Sequence, residues 1–155
     1  MVGDPLCYAV ASPFRTRLPL VPVFGGVMFK QLYGRALFRA FFRDDVYGSR
    51  VFYPADRVDR HYDLFNTPAA RESAYAVMRA TLDTRPVVAR VTRVRTPALV
   101  VWGGADKIFP AALATRLARE LGNAKLEVMD AGHAPHEERP REFVRLIAQF
   151  FEGNR

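Results

Sequence analysis

Residues 97–106 read Pro-Ala-Leu-Val-Val-Trp-Gly-Gly-Ala-Asp, an apolar run of strand length that stops at two glycines. A continuous apolar run, unlike an alternating one, is typical of a parallel strand with both faces covered. We therefore predict a buried parallel strand here. Asp106 follows its carboxyl end, the edge at which open parallel sheets collect functional residues.

The chain after this strand continues as a helix, a second strand and a last helix. The predicted first helix has leucines at every fourth position and ends at two residues that tolerate positive φ: Leu113, Leu117, Leu121, Gly122 and Asn123. The second strand covers residues 125–129, His133 lies in the turn after it, and an amphipathic helix begins at Pro140. This order predicts α/β structure, with Asp106 and His133 at the same edge of the sheet.

Two motifs in this part resemble the acid loop and the histidine loop of the α/β-hydrolase family. Residues 96–110 place Gly-Gly-Ala-Asp after a buried strand, and residues 131–140 place Gly-His between the next strand and an amphipathic helix. The resemblance implies an α/β fold, here the C-terminal portion of an α/β-hydrolase sheet with parallel strands and flanking helices. It also implies that Asp106 and His133 are the acid and the base of a catalytic triad.

These two residue types suit acyl-transfer chemistry. A neutral imidazole accepts a proton near pH 7, and a buried carboxylate orients the ring and stabilises the imidazolium. The alternatives are a turn-capping role for Asp106 and an exposed turn position for His133. Asp130 is the second candidate for the acid. The neighbouring polar residues are expected at the surface or near the positive end of the following helix dipole: His136, Glu137 and Glu138.

The first 95 residues carry the whole positive excess of a chain with a net charge of +7. Arginine beside aromatic residues raises the hypothesis of nucleic-acid binding. However, Arg35, Arg39 and Arg43 recur every fourth residue opposite an apolar face, which indicates one helix, near residues 29–43, with a solvated side. We therefore expect no nucleic-acid partner.

The resemblance also implies a helical lid, or cap, ahead of the acid loop. We expect residues 1–12 to hold a core strand entering the cap, residues 13–95 to form the helical cap, and residues 96–155 to form the C-terminal part of the core. Two further cap helices are indicated, one with Val58 and Tyr62 on its buried face and one capped by Thr67 that buries an apolar stripe including Val77. Substrate-pocket residues are predicted, with ordinary packing as the alternative for each: Phe29, Tyr33, Phe41 and Phe109. An apolar small-molecule ester or related substrate suits such a lining.

The sequence lacks the motif that carries the nucleophile in this family. The family places it on a strained Gly-x-Ser-x-Gly turn, but none of the three serines, Ser12, Ser49 and Ser73, has these glycines. We expect a truncated reading frame that is inactive by itself. The alternatives are one subunit of a two-chain hydrolase, with a partner chain or self-association at an exposed sheet edge, and a non-catalytic remnant that binds a ligand or a protein. Serine and aspartate both remain open as the nucleophile.

The sequence indicates neither a metal or cofactor site nor a membrane span. The histidines and the single cysteine, Cys7, have no metal-ligand spacing, and no glycine-rich phosphate motif is present, so we expect no cofactor. The longest apolar run, residues 18–29, contains two prolines and is shorter than the ~20 residues of a membrane span. We expect a cytoplasmic protein without a membrane span.

Overall fold

The computed structural model describes Tyr8 and residues 24–48, 52–80 and 84–154. Helices precede the sheet: α1 (Phe24–Val27, continued by a π-helical turn, Met28–Leu32), α2 (Arg35–Phe41, continued by a π-helical turn, Phe42–Val46), α3 (Ala55–Phe65), α4 (Pro68–Ala80) and α5 (Arg85–Val91). The remaining elements are β1 (Ala98–Gly103), α6 (Ala112–Leu121), β2 (Ala124–Met129), α7 (Pro135–Glu138) and α8 (Pro140–Glu152).

The two strands pair in parallel, as their apolar sequences predict. Ala98 lies opposite Ala124 and Gly103 lies opposite Met129, so both strands end at the same edge. Helix α6 connects them and ends at Gly122, whose φ of 71° is easily adopted by glycine. The strand–helix–strand–helix prediction for this part of the chain is therefore confirmed.

The sheet and α6 share one hydrophobic core. Val100 and Trp102 of β1 pack with Ala114 and Leu117 of α6, and Tyr8 joins the same cluster. The prediction that both faces of the strand are covered is met only in part, because residues 98, 99 and 101 of β1 are half-buried among the described residues. The last helix, α8, presents an apolar side that is also only half-covered, with Phe151 64% exposed.

The prediction of one continuous helix near residues 29–43 is wrong. The helix is interrupted at Tyr33 and Gly34, and Gly34 is extended, with φ −80° and ψ 171°, before α2 begins. Glycine in a helix interior costs roughly 1 kcal/mol relative to alanine, which favours a break at this position. Arg35 and Arg39 then bind Asp59 and Asp63 of α3, so the predicted solvated face also joins two helices.

The other two predicted helices are present. Val58 and Tyr62 are buried on α3, and the Thr67 hydroxyl accepts a hydrogen bond from the Ala70 N–H at the start of α4. The buried stripe predicted for α4 needs correction, because Val77 is 59% exposed whereas Arg71 is 8% exposed.

Arg71 is buried because it satisfies the backbone at the end of α1. Its Nη1 donates to the carbonyl oxygens of Phe29 and Lys30, at 3.1 and 3.0 Å, and its Nη2 donates to that of Tyr33 at 2.9 Å. No further helical turn follows to supply N–H donors to these carbonyls, so the guanidinium donates to them instead. A buried cation is tolerated here because its hydrogen bonds are made.

Two sequence predictions cannot be followed in full. Of the predicted entering strand within residues 1–12 the structure describes only Tyr8, which is buried in a bend and donates a hydrogen bond to Glu120 Oε2. Cys7, Ser12 and Ser49 lie outside the described residues. The assignment of residues 13–95 to a cap stays a prediction.

Candidate active site

Asp106 lies in the loop directly after β1, and its side chain is only 5% exposed. Its Oδ1 accepts hydrogen bonds from the backbone N–H groups of Ile108 and Phe109, both at 2.8 Å. The indole N–H of Trp102 donates to the Phe109 carbonyl oxygen at 2.9 Å and fixes the same loop to the strand. Two backbone donors on one oxygen hold the carboxylate in one orientation.

His133 lies in the loop after β2, and it meets Asp106 across the sheet edge. Its Nδ1 is 3.0 Å from Asp106 Oδ2, the ring is 16% exposed, and its centroid lies 5.5 Å from that of Phe109. An ionised carboxylate only accepts hydrogen bonds, so Nδ1 carries the proton of the neutral ring. The lone pair is then on Nε2, as a general base requires.

Three glycines bring separate segments of the backbone into contact beside His133. A Cβ on Gly132 would lie 2.1 Å from the Gly48 nitrogen, and one on Gly103 would lie 1.8 Å from the Gly132 carbonyl oxygen. Because these atoms belong to backbone, no side-chain movement makes room for a Cβ. The end of β1, the histidine loop and the segment after α2 therefore touch at a point that only glycine allows.

The segment at residues 44–48, here called the strap, is bound by both loops. The His133 N–H donates to the Val46 carbonyl oxygen at 2.7 Å, and Lys107 of the acid loop donates to that of Asp44 at 2.6 Å. Tyr47 is buried, and its hydroxyl donates to Glu137 Oε2 at 2.8 Å. Burial, with Glu137 next, raises the pKa of Tyr47 and keeps its proton on this bond.

Glu138 joins the strap to the histidine loop through one carboxylate. Its Oε1 accepts from the Gly132 N–H at 2.7 Å and its Oε2 accepts from the Gly48 N–H at 3.0 Å. The sequence assigned Glu137 and Glu138 only to the helix dipole and missed these specific bonds. The signal available was a glutamate five residues after the histidine, and this spacing alone does not indicate which groups its carboxylate binds.

The predicted pocket residues separate into two groups. Phe109 lies against the His133 ring, as described above. Phe29 and Tyr33 pack on each other, with centroids 5.6 Å apart, and both pack on Phe65, whereas Phe41 packs on Phe42. Burial, followed by the charge of Asp45, raises the pKa of Tyr33 to about 12.

This aromatic packing continues toward the two loops. One cluster contains the buried residues Phe38, Val46, Tyr47, Val58, Tyr62 and Ala134. Tyr33, Phe41 and Ile108 pack against it, and Ala134 and Ile108 belong to the loops that carry His133 and Asp106. The helices of the first part are therefore packed onto the candidate site. A substrate-lining role for Phe29, Tyr33, Phe41 and Phe109 stays a prediction.

The remaining candidates lie elsewhere. Asp130, the second candidate for the acid, is 95% exposed in its side chain and pairs with Arg139. His136 is 58% exposed, and Ser73 lies exposed on α4. Among the described residues, no three histidine, cysteine or acidic side chains are grouped as a metal site. Within the same ranges, no helix combines the length and apolarity that crossing a membrane requires.

Comparison with known proteins gives consistent matches. The family model described as "Alpha/beta hydrolase family" matches residues 2–146. The alpha/beta hydrolase domain-containing protein VTE7 of Arabidopsis thaliana is 40% identical over 68 residues, covering 43% of this chain and 21% of that protein. Monoacylglycerol lipase ABHD6 of Mus musculus is 32% identical over 59 residues, covering 37% of this chain and 18% of that protein.

A solved structure extends the likeness to the fold. MGS-M2, an alpha/beta hydrolase enzyme from a Medee basin deep-sea metagenome library, superposes with a TM-score of 0.70 and 21% identity. The match covers 95% of this chain but 54% of that one, and the matches to the curated relatives cover about a fifth of their lengths. With the family model matching nearly the whole sequence and the fold agreeing, the chain belongs to the alpha/beta hydrolase family.

Proposed function

We propose that this chain carries the base and the acid of a hydrolase for an apolar small-molecule ester or related substrate. The observation that carries the proposal is the bond between His133 Nδ1 and Asp106 Oδ2 at 3.0 Å, in loops that follow neighbouring parallel strands. An aspartate fixed by two backbone N–H groups holds the imidazole in the tautomer that accepts a proton at Nε2.

In the proposed reaction, His133 Nε2 takes a proton from the attacking group. With a serine nucleophile that proton comes first from the hydroxyl and then from the water that hydrolyses the acyl intermediate, and with an aspartate nucleophile it comes from the water that hydrolyses the alkyl-ester intermediate. Asp106 stabilises the imidazolium that forms. His133 then returns the proton to the leaving group or to the released nucleophile.

The nucleophile and the oxyanion donors are proposed to come from polypeptide outside these 155 residues. None of the three serines in the sequence has the flanking glycines of a strained nucleophile turn. A longer translation of the gene and a separate partner chain are two sources of that polypeptide. Residues 13–95 would form the lid, and a cytoplasmic setting suits a chain with one cysteine.

The side of β1 that faces away from β2, which no described strand covers, is the proposed place for the missing strands. The Ala98 and Gly104 N–H groups donate to Asn123 and Met129 beside β2, so the N–H groups of Leu99 and Val101 point to the opposite edge. A strand of the nucleophile-bearing polypeptide would pair there. A second copy of this chain is the alternative occupant.

The test compares the chain alone with a completed form. Purified residues 1–155 are assayed with a short-chain p-nitrophenyl ester, and we expect no release of nitrophenol above the buffer rate. The translated sequence upstream of Met1 is then expressed with them, or a co-purifying partner is added, and turnover is expected. Turnover by residues 1–155 alone that His133→Ala abolishes would place the nucleophile within them, against this proposal.

A second candidate is a binding protein without catalysis. The absence of a nucleophile turn within the 155 residues favours it. It predicts that no completed form releases nitrophenol from the p-nitrophenyl ester. The same assay therefore separates the two functions.

A further inference from the structure

We propose that Glu138 is a positioning residue that holds His133 in register with Asp106 by tying the histidine loop to the strap. This inference rests on the proposed function, since it assigns how that same base is oriented. It concerns a carboxylate whose two oxygens bind backbone N–H groups where the strap and the histidine loop meet, and it makes Glu138 neither an acid nor a base of the reaction.

The position of Glu138 in the chain supports this role. It ends α7, the short helix that begins two residues after His133, so its side chain turns back over the loop it follows. Its two carboxylate oxygens accept from Gly132 and from Gly48, at 2.7 and 3.0 Å. Gly132 is the residue directly before His133. The carboxylate therefore binds the Ala131–Gly132 peptide, which directly precedes the peptide that carries the His133 N–H.

The backbone around Gly132 leaves the loop few alternatives. Gly132 lies between Gly48 and Gly103 at distances that exclude any Cβ. The next N–H, that of His133, donates to Val46 of the strap at 2.7 Å. Two consecutive N–H groups of the histidine loop are thus bound, one directly by the strap and one by the carboxylate that also binds the strap.

A charged acceptor is suited to this double contact. Hydrogen bonds to a carboxylate are about twice as strong as neutral ones, and both oxygens of a carboxylate accept. A glutamine has one accepting oxygen, and its amide group would place a second donor against one of the two N–H groups. Loss of the charge therefore releases either Gly132 or Gly48, whereas loss of the side chain releases both.

The experiment measures the imidazole of His133 in the full 155-residue chain by ¹H–¹⁵N NMR. The wild-type ring is expected to show the Nδ1–H tautomer, with an Nδ1 proton protected from solvent exchange by Asp106. Glu138→Gln is expected to lose part of that proton signal and Glu138→Ala most of it. Circular dichroism establishes that each variant remains folded, and Glu138→Gln serves if Glu138→Ala does not fold.

Glu137→Gln is the matched control. Glu137 is the neighbouring carboxylate, and it binds two side chains, the Tyr47 hydroxyl and the Arg57 guanidinium. It is expected to retain the wild-type His133 signal. Folded Glu138 variants with an unchanged His133 signal would overturn the proposal, as would an equal loss in Glu137→Gln. A wild-type ring without the Nδ1–H tautomer would instead contradict the proposed function itself.

Discussion

Asp106→Asn is expected to lower kcat about 10⁴-fold in the proposed hydrolase once it is completed with a nucleophile, with KM nearly unchanged. The reason lies in the two N–H groups of Ile108 and Phe109, which both bind Oδ1. They will keep the amide oxygen of the asparagine at that position and turn its NH₂ group toward His133. A donor facing Nδ1 makes that nitrogen the acceptor, so the ring proton moves to Nε2 and the base is lost.

Asp130→Asn is the matched control for this substitution. Asp130 is also an aspartate in the loop region after a strand, but its side chain is 95% exposed and pairs with Arg139. Its kcat and KM are expected to match those of the wild type. Steady-state kinetics on both variants decide the matter, and a loss smaller than about tenfold for Asp106→Asn would mean that the carboxylate does not orient the base.

Gly132→Ala is expected to cost at least about 3 kcal/mol of folding stability, or to prevent folding, since overpacking typically costs 1–3 kcal/mol even where side chains can yield. The added Cβ would lie 2.1 Å from the Gly48 nitrogen and 2.6 Å from the Val46 carbonyl oxygen. This clash is removed only if the strap moves away from the histidine loop. That movement breaks the hydrogen bond from the His133 N–H to the Val46 carbonyl oxygen.

Urea denaturation measures this loss, with Gly34→Ala as the control. A Cβ on Gly34 meets nothing within 4 Å, and its φ of −80° suits any residue. As Gly34 caps α2, its replacement is expected to cost less than about 1 kcal/mol. Equal stability of Gly132→Ala and the wild type would contradict the backbone contact on which the histidine loop depends.

The sequence predicts the C-terminal elements well because their signals are local. The apolar run before Gly103 and the four-residue repeat in α6 each report burial through neighbouring residues, and the structure has both elements where the pattern places them. The meeting of His133 with Asp106 also follows from local order, since both residues come after parallel strands that end at one edge.

The contacts that hold the site are non-local, and for that reason the sequence misses them. Glu138 binds Gly48, which is 90 residues away, and Arg71 binds carbonyls of α1 about 40 residues before it. Neither bond leaves a periodic trace, because its acceptor or donor is backbone that every residue possesses. Arg71 lies on a helix whose apolar stripe predicts that the buried positions are hydrophobic, so the pattern does not predict a buried arginine.

The break at Gly34 shows a different limit. The apolar residues before and after it follow one helical period, so the pattern predicts a continuous helix. The glycine is the only local sign of a boundary, and a single glycine within a helical pattern is often tolerated. Here the Arg71 guanidinium donates to the carbonyl oxygens of Phe29, Lys30 and Tyr33 at the break, and tertiary structure supplies this donor.

The proposed role of Asp106 is to hold His133 in the tautomer that acts as a general base, and the tautomer of the His133 ring tests this role most directly. Long-range ¹H–¹⁵N NMR on residues 1–155, at a pH where the ring is neutral, is expected to place the proton on Nδ1 in the wild type. The same spectrum of Asp106→Asn is expected to place it on Nε2. A wild-type ring protonated mainly on Nε2, or a tautomer unchanged by Asp106→Asn, would contradict the claim.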